Sequence, residues 1–286
     1  MGDTKTVPDS DEELAGVRET SVGLDEVLWD PISTAAVARS HPGFDERVLD
    51  ACCGDGASAL PTAELVGPGG HVDAVDLDES AVAIARERAG DRMPQLHLHV
   101  ADVTTWEDDG YDLVQCVLGV DRLPDVEAAM RRLIERARPE GRVAITVWAR
   151  GAFAPLRELL AGALPADAAS DADAAPDADG PSDADEDADT APDAAGVAET
   201  PGTLAQWLAQ LGLVDVRAEA VNRHLAVTPE LAWELVLGTD MRETVAALDG
   251  ETADVVRERF VGAIAEHGVT TADVTTIIAV GRRPAD

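Results

Sequence analysis

Three aspartates end three successive apolar stretches: Asp50 closes 47–50, Asp76 closes 72–76 and Asp102 follows the end of 96–101. Asp76 stands twenty residues after Gly56. From there a carboxylate can accept from both hydroxyls of a ribose, a bidentate grip that Ser or Asn would imitate poorly. Asp50 lies on its strand, four residues before Gly54, where a dinucleotide-binding fold usually carries an apolar residue. An acid there can hold the ammonium of a bound amino acid, directly or through water, and a nicotinamide dinucleotide has no ammonium. Following Asp50 comes the run Ala51-Cys52-Cys53-Gly54-Asp55-Gly56-Ala57. Its small residues let the backbone turn tightly and approach a ligand, with amides offered by the next helix N-terminus. That loop alone decides little, because residues 54–59 also satisfy the dinucleotide pattern GxGxxA. Each aspartate alone could be a helix cap or a turn former. The three together, at one edge of a sheet, point to a ligand.

The elements that must carry them alternate. A helical pattern with Val22, Leu24, Val27, Leu28, Ile32, Ala35, Ala36 and Val37 leads through Pro42-Gly43 to a first strand at 47–50. Strands then follow at 72–76, 96–101, 112–118 and 142–148, with helices over about 80–89 and 126–138. Strands apolar on both faces, alternating with helices, imply a parallel sheet covered by helices. After residue 200 come a helix at about 203–211, a strand at 214–221, helical stretches at about 229–248 and 251–267, and a strand at 273–281. Those two strands bring the sheet to seven.

Composition sets the surroundings. The chain carries 56 acidic and 22 basic residues, a formal charge of −34, and Lys5 is its only lysine. Acid spread over the whole length is the pattern of a halophilic, haloarchaeal cytoplasm, where carboxylates keep a protein hydrated in molar salt. No basic stripe exists to neutralise phosphates, which argues against a nucleic-acid partner. No apolar run approaches the ~18–20 residues that span a bilayer, and residues 1–19 are acidic without an apolar stretch. A cytoplasmic protein without a membrane partner is therefore expected. Cys52, Cys53 and Cys116 form neither a CxxC pair nor an even framework, so no metal site and no disulfide scaffold is expected. Residues 1–21 form an acidic flexible N-terminus. Residues 165–200 hold about a dozen carboxylates and no basic or aromatic residue, and we read them as a disordered acidic insertion. Segments 22–164 and 201–286 then make up a single domain.

These residues resemble the class I S-adenosylmethionine-dependent methyltransferases, in particular the group around the ubiquinone/menaquinone-biosynthesis enzymes. The likeness is close over about 45–150 and looser beyond. Residues 48–56 resemble the family's first motif, with Cys52 where the first glycine is usual. Residues 71–78 resemble the second, which implies Asp76 on the ribose and Leu77 beside the adenine. Ala101-Asp102-Val103 resembles the segment that binds the adenine amino group through the acid and the ring through the backbone of the next residue. Residues 111–119 are similar to the fourth-strand motif, whose carbonyls near Cys116 and Val117 face the methionine part. Pro139-Glu140-Gly141-Arg142 resembles the family's Pro-Gly-Gly-Arg turn.

The resemblance implies an α/β fold: a Rossmann-like, seven-stranded, mostly parallel sheet with helices on both faces and the last strand antiparallel between its neighbours. It implies S-adenosyl-L-methionine as cofactor, a small-molecule methyl acceptor, and cofactor contacts from Asp50, Cys52, Gly54, Asp55, Gly56, Asp76, Leu77, Asp102, Val103, Cys116 and Val117. No catalytic residue is assigned. Asp121 is the base candidate, with Trp29 or Trp148 as walls and His224 on the acceptor side. His97 and His99 share one face of the third strand and read as packing or surface residues, and Trp207 and Trp233 as core. Two alternatives stay open, a NAD-dependent oxidoreductase and a non-catalytic binding protein on the same fold. Asp50 and the chain after 201 speak against the first, and the complete set of three acids against the second.

Overall fold

A computed structural model describes residues 23–165 and 200–285. The acidic N-terminus and all of the acidic insertion but Pro165 and Thr200 lie outside the described residues. Within them the chain divides into two compact units, one of residues 30–152, 200–224 and 273–285, the other of 23–29, 153–165 and 225–272. No described helix is long and apolar enough to cross a membrane.

The first unit opens with α1 (Asp30–Ser40), followed by β1 (Arg47–Ala51), α2 (Ala59–Val66), β2 (His71–Asp76), α3 (Glu79–Ala89), β3 (Leu96–Val100), β4 (Tyr111–Val117), α4 (Val126–Arg136) and β5 (Ala137–Trp148). It is completed by α6 (Pro201–Gln210), β6 (Val214–Val221) and, at the end of the chain, β9 (Thr276–Arg282). The strand order is β3-β2-β1-β4-β5-β9-β6, with β9 antiparallel to both β5 and β6 and the other pairs parallel. This is the expected seven-stranded sheet with its last strand antiparallel. Residues of β1 and β4 are buried almost throughout, as strands covered on both faces must be. Helix α4 shows how the covering works. Ala129, Met130, Leu133 and Ile134 lie buried on one stripe, Arg131 and Arg132 are exposed, and Asp125 caps the N-terminus by accepting from the Ala128 amide.

From β1 the chain winds outward through β2 to the edge strand β3, then returns to place β4 on the other side of β1. Strand order therefore reverses between β1 and β4. Loops leaving the carboxyl ends of these two strands diverge there and leave a crevice, the usual ligand position in such sheets.

The second unit holds α5 (Ala154–Ala163), α7 (Pro229–Gly238), α8 (Arg242–Ala246) and α9 (Gly250–Glu266), with all but the terminal residues His224 and Asp273 of a two-stranded ladder of β7 (His224–Ala226) and β8 (Thr271–Asp273). Phe153, Trp233 and Phe260 are buried in it, and the Trp233 and Phe260 rings meet at 5.9 Å.

Several boundaries differ from the sequence reading. The helical pattern at 22–37 is a π-helical turn over Asp25–Trp29 followed by α1. The stretch 229–248 breaks after Gly238, since glycine is a poor helix former with Thr239 extended behind it. The strand expected at 273–281 is two pieces, β8 and β9. Helix α5 went unforeseen, because Phe153 in a left-handed conformation (φ 59°) starts it without any side-chain cap.

Candidate functional site

Asp50 sits on β1 at the switch point and is fully buried. Ser58, at the N-terminus of α2, donates its hydroxyl to Asp50 Oδ2 at 2.8 Å. Gln115, its register partner on β4, donates Nε2 to the same oxygen at 2.9 Å. The other oxygen, Oδ1, is buried with no hydrogen-bond partner. Burial pushes the carboxyl up to about 6, against the pull of the Gln115 and Ser58 bonds and with a further push from the Asp76 carboxylate. Leaving a buried acceptor unmatched costs about 1–3 kcal/mol. An orphan of this kind calls for a reason, and a ligand donor is one.

The loop above Asp50 is held in left-handed backbone at three positions, Cys52 (φ 56°), Gly54 (φ 53°) and Gly56 (φ 89°). Glycine takes such angles freely, whereas Cys52 does so against a steric cost of about 1–2 kcal/mol. A side chain at Gly56 would collide with Leu60 and meet Ala85, so the loop can lie against α2 and α3 only with glycine there. At Gly54 the space is open. Three bonds fix the loop's course. Cys53 donates its amide to the Val75 carbonyl at 3.1 Å, and Gly54 donates its amide to Asp76 Oδ2 at 2.8 Å. Arg88 of α3 holds the Asp55 carboxylate at 2.7 Å, so this side chain is turned to a protein partner.

Asp76 ends β2 half-buried. Besides Gly54 it takes the Asp78 amide on Oδ1 at 2.9 Å, and each carboxylate oxygen keeps a second lone pair that can accept a hydroxyl. Leu77 follows with 68% of its surface exposed, an apolar face next to the acid that a flat ring could cover. Ala101 donates its amide to the Asp76 carbonyl at 2.9 Å, which sets Asp102 beside it. Asp102 Oδ1 accepts from the Thr104 amide (2.8 Å) and hydroxyl (2.7 Å) and starts the 3-10 turn at Val103. On the far side of β1, Cys116 is the register partner of Ala51. Its buried thiol is hydrogen-bonded to the free thiol of Cys52, and that hydrogen bond and burial push it well above the usual thiol range. Val117 ends β4, and Leu118 behind it is left-handed at φ 55°.

All eleven cofactor candidates thus lie at the carboxyl ends of β1 to β4. The acceptor-side candidates do not form a comparable group. Asp121 is exposed in a 3-10 turn after β4, Trp148 is half-buried at the end of β5, His224 is exposed, and Trp29 belongs to the other unit. His97 and His99 occupy one face of β3, where each meets a protein partner. His99 bonds Asp73 and His97 stacks on His71. Trp207 and Trp233 are buried as expected. Among the described residues no cluster of three or more His, Cys, Asp or Glu is arranged to hold a metal ion.

Sequence reasoning passed over Ser58, Gln115 and Arg88. Gln115 had a visible signal, as a polar residue inside the apolar strand 112–118. Ser58 and Arg88 had none, since serine at a helix start and arginine on a helix are both ordinary.

Residues 48–141 match a family model described as a methyltransferase domain. The chain is 32% identical over 264 residues to nocamycin O-methyltransferase of Saccharothrix syringae, covering 86% of this chain and 88% of that protein. Over 101 residues it is 29% identical to demethylmenaquinone methyltransferase of Halalkalibacterium halodurans, 34% of this chain and 41% of that protein. Its fold is similar to a phosphoethanolamine N-methyltransferase 2 of Haemonchus contortus, solved with phosphomonomethylethanolamine and S-adenosylhomocysteine. The TM-score is 0.50 at 16% identity, covering 88% of this chain and 52% of that one. That last likeness concerns fold alone. The relation to the nocamycin enzyme runs through nearly all of both chains, and with it the oxidoreductase and the non-catalytic readings fall away: the chain belongs to the class I S-adenosylmethionine-dependent methyltransferases.

Proposed function

We propose that this protein methylates a small organic molecule and holds S-adenosylmethionine along the carboxyl ends of β1 to β4. The observation that carries the reading is the buried, unpartnered Oδ1 of Asp50 at the switch point. An ammonium group would satisfy that acceptor in both charge and hydrogen bonding. Asp76 takes the ribose hydroxyls, Leu77 covers one side of the adenine, and Asp102 with the Val103 amide reads the adenine edge. The backbone of Cys52, Gly54 and Gly56 gives room to the amino-acid end, with Cys116 and Val117 opposite. Asp55 contributes through its backbone, its carboxylate being held by Arg88. The chemistry the bound cofactor supplies is a methyl group on a sulfonium, already an excellent leaving group. What remains for the chain is to align the acceptor and exclude water. A base is required only where the acceptor must lose a proton, and we assign none. The relatives' names, nocamycin and demethylmenaquinone, support a small organic acceptor.

Calorimetric titration with S-adenosylhomocysteine tests the site. Asp76→Ala should cost about 2–3 kcal/mol, on the order of 30- to 150-fold in affinity, with Asp76→Asn between it and wild type. Equal affinity for wild type and Asp76→Ala would overturn the assignment of the ribose.

We also propose a salty cytoplasm of haloarchaeal kind as the protein's setting, with no nucleic-acid or membrane partner, on the strength of the −34 formal charge. Self-repulsion at low ionic strength destabilises a compact acidic chain and salt screens it. Thermal midpoints should therefore rise from about 0.1 M to about 3 M KCl; a flat or falling series refutes the halophilic reading.

A further inference from the structure

Gln115 is a buried amide in the middle of a central strand, and every polar atom of its side chain is committed. Nε2 donates to Asp50 Oδ2 and to Thr62 Oγ1, each at 2.9 Å. Oε1 accepts from Ser40 Oγ at 3.2 Å. The network ties α1, α2, β1 and β4 to one carboxylate. Packing gives no reason for it, because an aliphatic side chain would fill the same strand position without a polar group to desolvate. What the amide does is choose between the two oxygens of Asp50. Gln115 and Ser58 both donate to Oδ2, and Oδ1 stays buried and unmatched.

We propose that Gln115, seconded by Ser58, is a positioning residue for the cofactor: it fixes the Asp50 carboxylate with one oxygen bound inside the protein and the other presented to the α-ammonium of S-adenosylmethionine. The proposal rests on the function proposed above and adds to it the residue that orients the ammonium's acceptor. The two donors also keep Asp50 charged. Burial raises its carboxyl to about 6, and the Gln115 and Ser58 bonds oppose that rise. Of the groups that act on it by charge, Asp76 at the end of β2 raises it further. The neighbouring thiols of Cys53 and Cys116 are themselves pushed above the usual range and stay neutral. From α1 and α2 the network contributes only the uncharged Ser40, Ser58 and Thr62. Asp50 is therefore the group whose titration a bound cation would feel.

Two ligands and two variants test this. S-adenosylhomocysteine carries the ammonium, and 5′-methylthioadenosine keeps the adenosine and the sulfur without the amino-acid end. In wild type, affinity for the first should fall as pH drops through about 6, while affinity for the second stays level. In Gln115→Leu a bond to the charged form is lost, so the carboxyl rises. Affinity for S-adenosylhomocysteine should then weaken about tenfold at pH 7, and its fall should begin about one pH unit higher. Binding of 5′-methylthioadenosine should stay within about twofold. Ser58→Ala should move the profile in the same direction, and it carries the test if Gln115→Leu does not fold. Equal losses for the two ligands, or an unshifted pH profile, overturn the role of Gln115 while leaving the site in place. A wild-type protein that binds neither ligand overturns the function on which the proposal rests.

Discussion

Two buried aspartates lie on neighbouring strands of the sheet, and the protein treats them in opposite ways. Asp73, in the middle of β2, is paired in register with Leu49, the residue before Asp50. Its oxygens are crowded with donors. Tyr111 donates its hydroxyl to Oδ2 at 2.8 Å, His71 Nε2 lies 2.9 Å from the same oxygen, and His99 Nε2 lies 3.0 Å from Oδ1. Arg47 stands behind them at 3.6 Å. Burial alone would raise this carboxyl, but the Tyr111, His99 and His71 contacts outweigh it and hold it below the usual carboxylate range. Asp50 has two donors on one oxygen, none on the other, and a carboxyl raised to about 6. A satisfied carboxylate ties elements together. An unsatisfied one costs energy unless a donor meets it, the role proposed above for the ammonium of the cofactor. Sequence shows two aspartates on two strands; the hydrogen-bond partners they meet in the fold tell how each carboxylate is used.

Removing each carboxylate is the sharpest way to break this comparison. Asp73→Ala strips the shared acceptor from two histidines, a tyrosine and an arginine and should cost about 3 kcal/mol of folding stability. The half-exposed histidines recover some of the loss from water. Asp50→Asn removes a penalised charge and should leave stability at pH 8 unchanged or raise it by about 1–2 kcal/mol. The pH signs follow from the same shifts. Asp73, lowered in the fold, contributes stability above the unfolded carboxyl value of 3.8 that is lost as pH falls below it. Asp50, raised in the fold, destabilises above about 6, and that penalty is relieved as pH falls toward 3.8. Urea unfolding at pH 8 and pH 5 reads the Asp50 effect, and a further series at about pH 3 reads the loss at Asp73. If Asp50→Asn unfolds as readily as Asp73→Ala, the contrast between the two sites is false and Asp50 is a structural residue.

Much of the sheet could be read in the sequence because its strands are short apolar runs punctuated by turn residues, and because Asp50, Asp76 and Asp102 fall at the strand ends. The switch point follows from strand order, which came from the resemblance and not from the runs themselves. What stayed hidden depends on side chains that meet only after folding. Gln115 and Ser58 lie far apart in the chain and come together on Asp50. His71, His99 and Tyr111 likewise converge on Asp73. The left-handed Cys52 was hidden for another reason: the turn demands a positive φ whether or not glycine stands there. The break in the helical stretch at 229–248 had a signal in Gly238, but the apolar periodicity that continues past it masked that signal.

The smallest expected effect separates the carboxylate proposed for the ribose from a capping one within the same turn. Asp78 lies two residues after Asp76, and its side chain serves the start of α3. Oδ1 accepts from the Ser80 amide at 2.9 Å and from the Ala81 amide at 3.2 Å, and these bonds, led by that of the Ser80 hydroxyl, hold its carboxyl below the usual range. What Asp78 gives to Asp76 is only its backbone amide, which survives substitution by alanine. Asp78→Ala should therefore lose a helix cap, about 1 kcal/mol or some 2–4 °C in melting midpoint, and leave affinity for S-adenosylhomocysteine within about twofold. Both variants remove one negative charge from the same turn, so a general electrostatic effect would appear in both, and at high salt would be small in both. Calorimetry and thermal melting on the two proteins side by side give the answer. Should Asp78→Ala weaken binding as much as Asp76→Ala, the shape of the turn and not the Asp76 carboxylate would be what holds the cofactor, and the distinction between satisfied and waiting carboxylates would fail at this edge of the sheet.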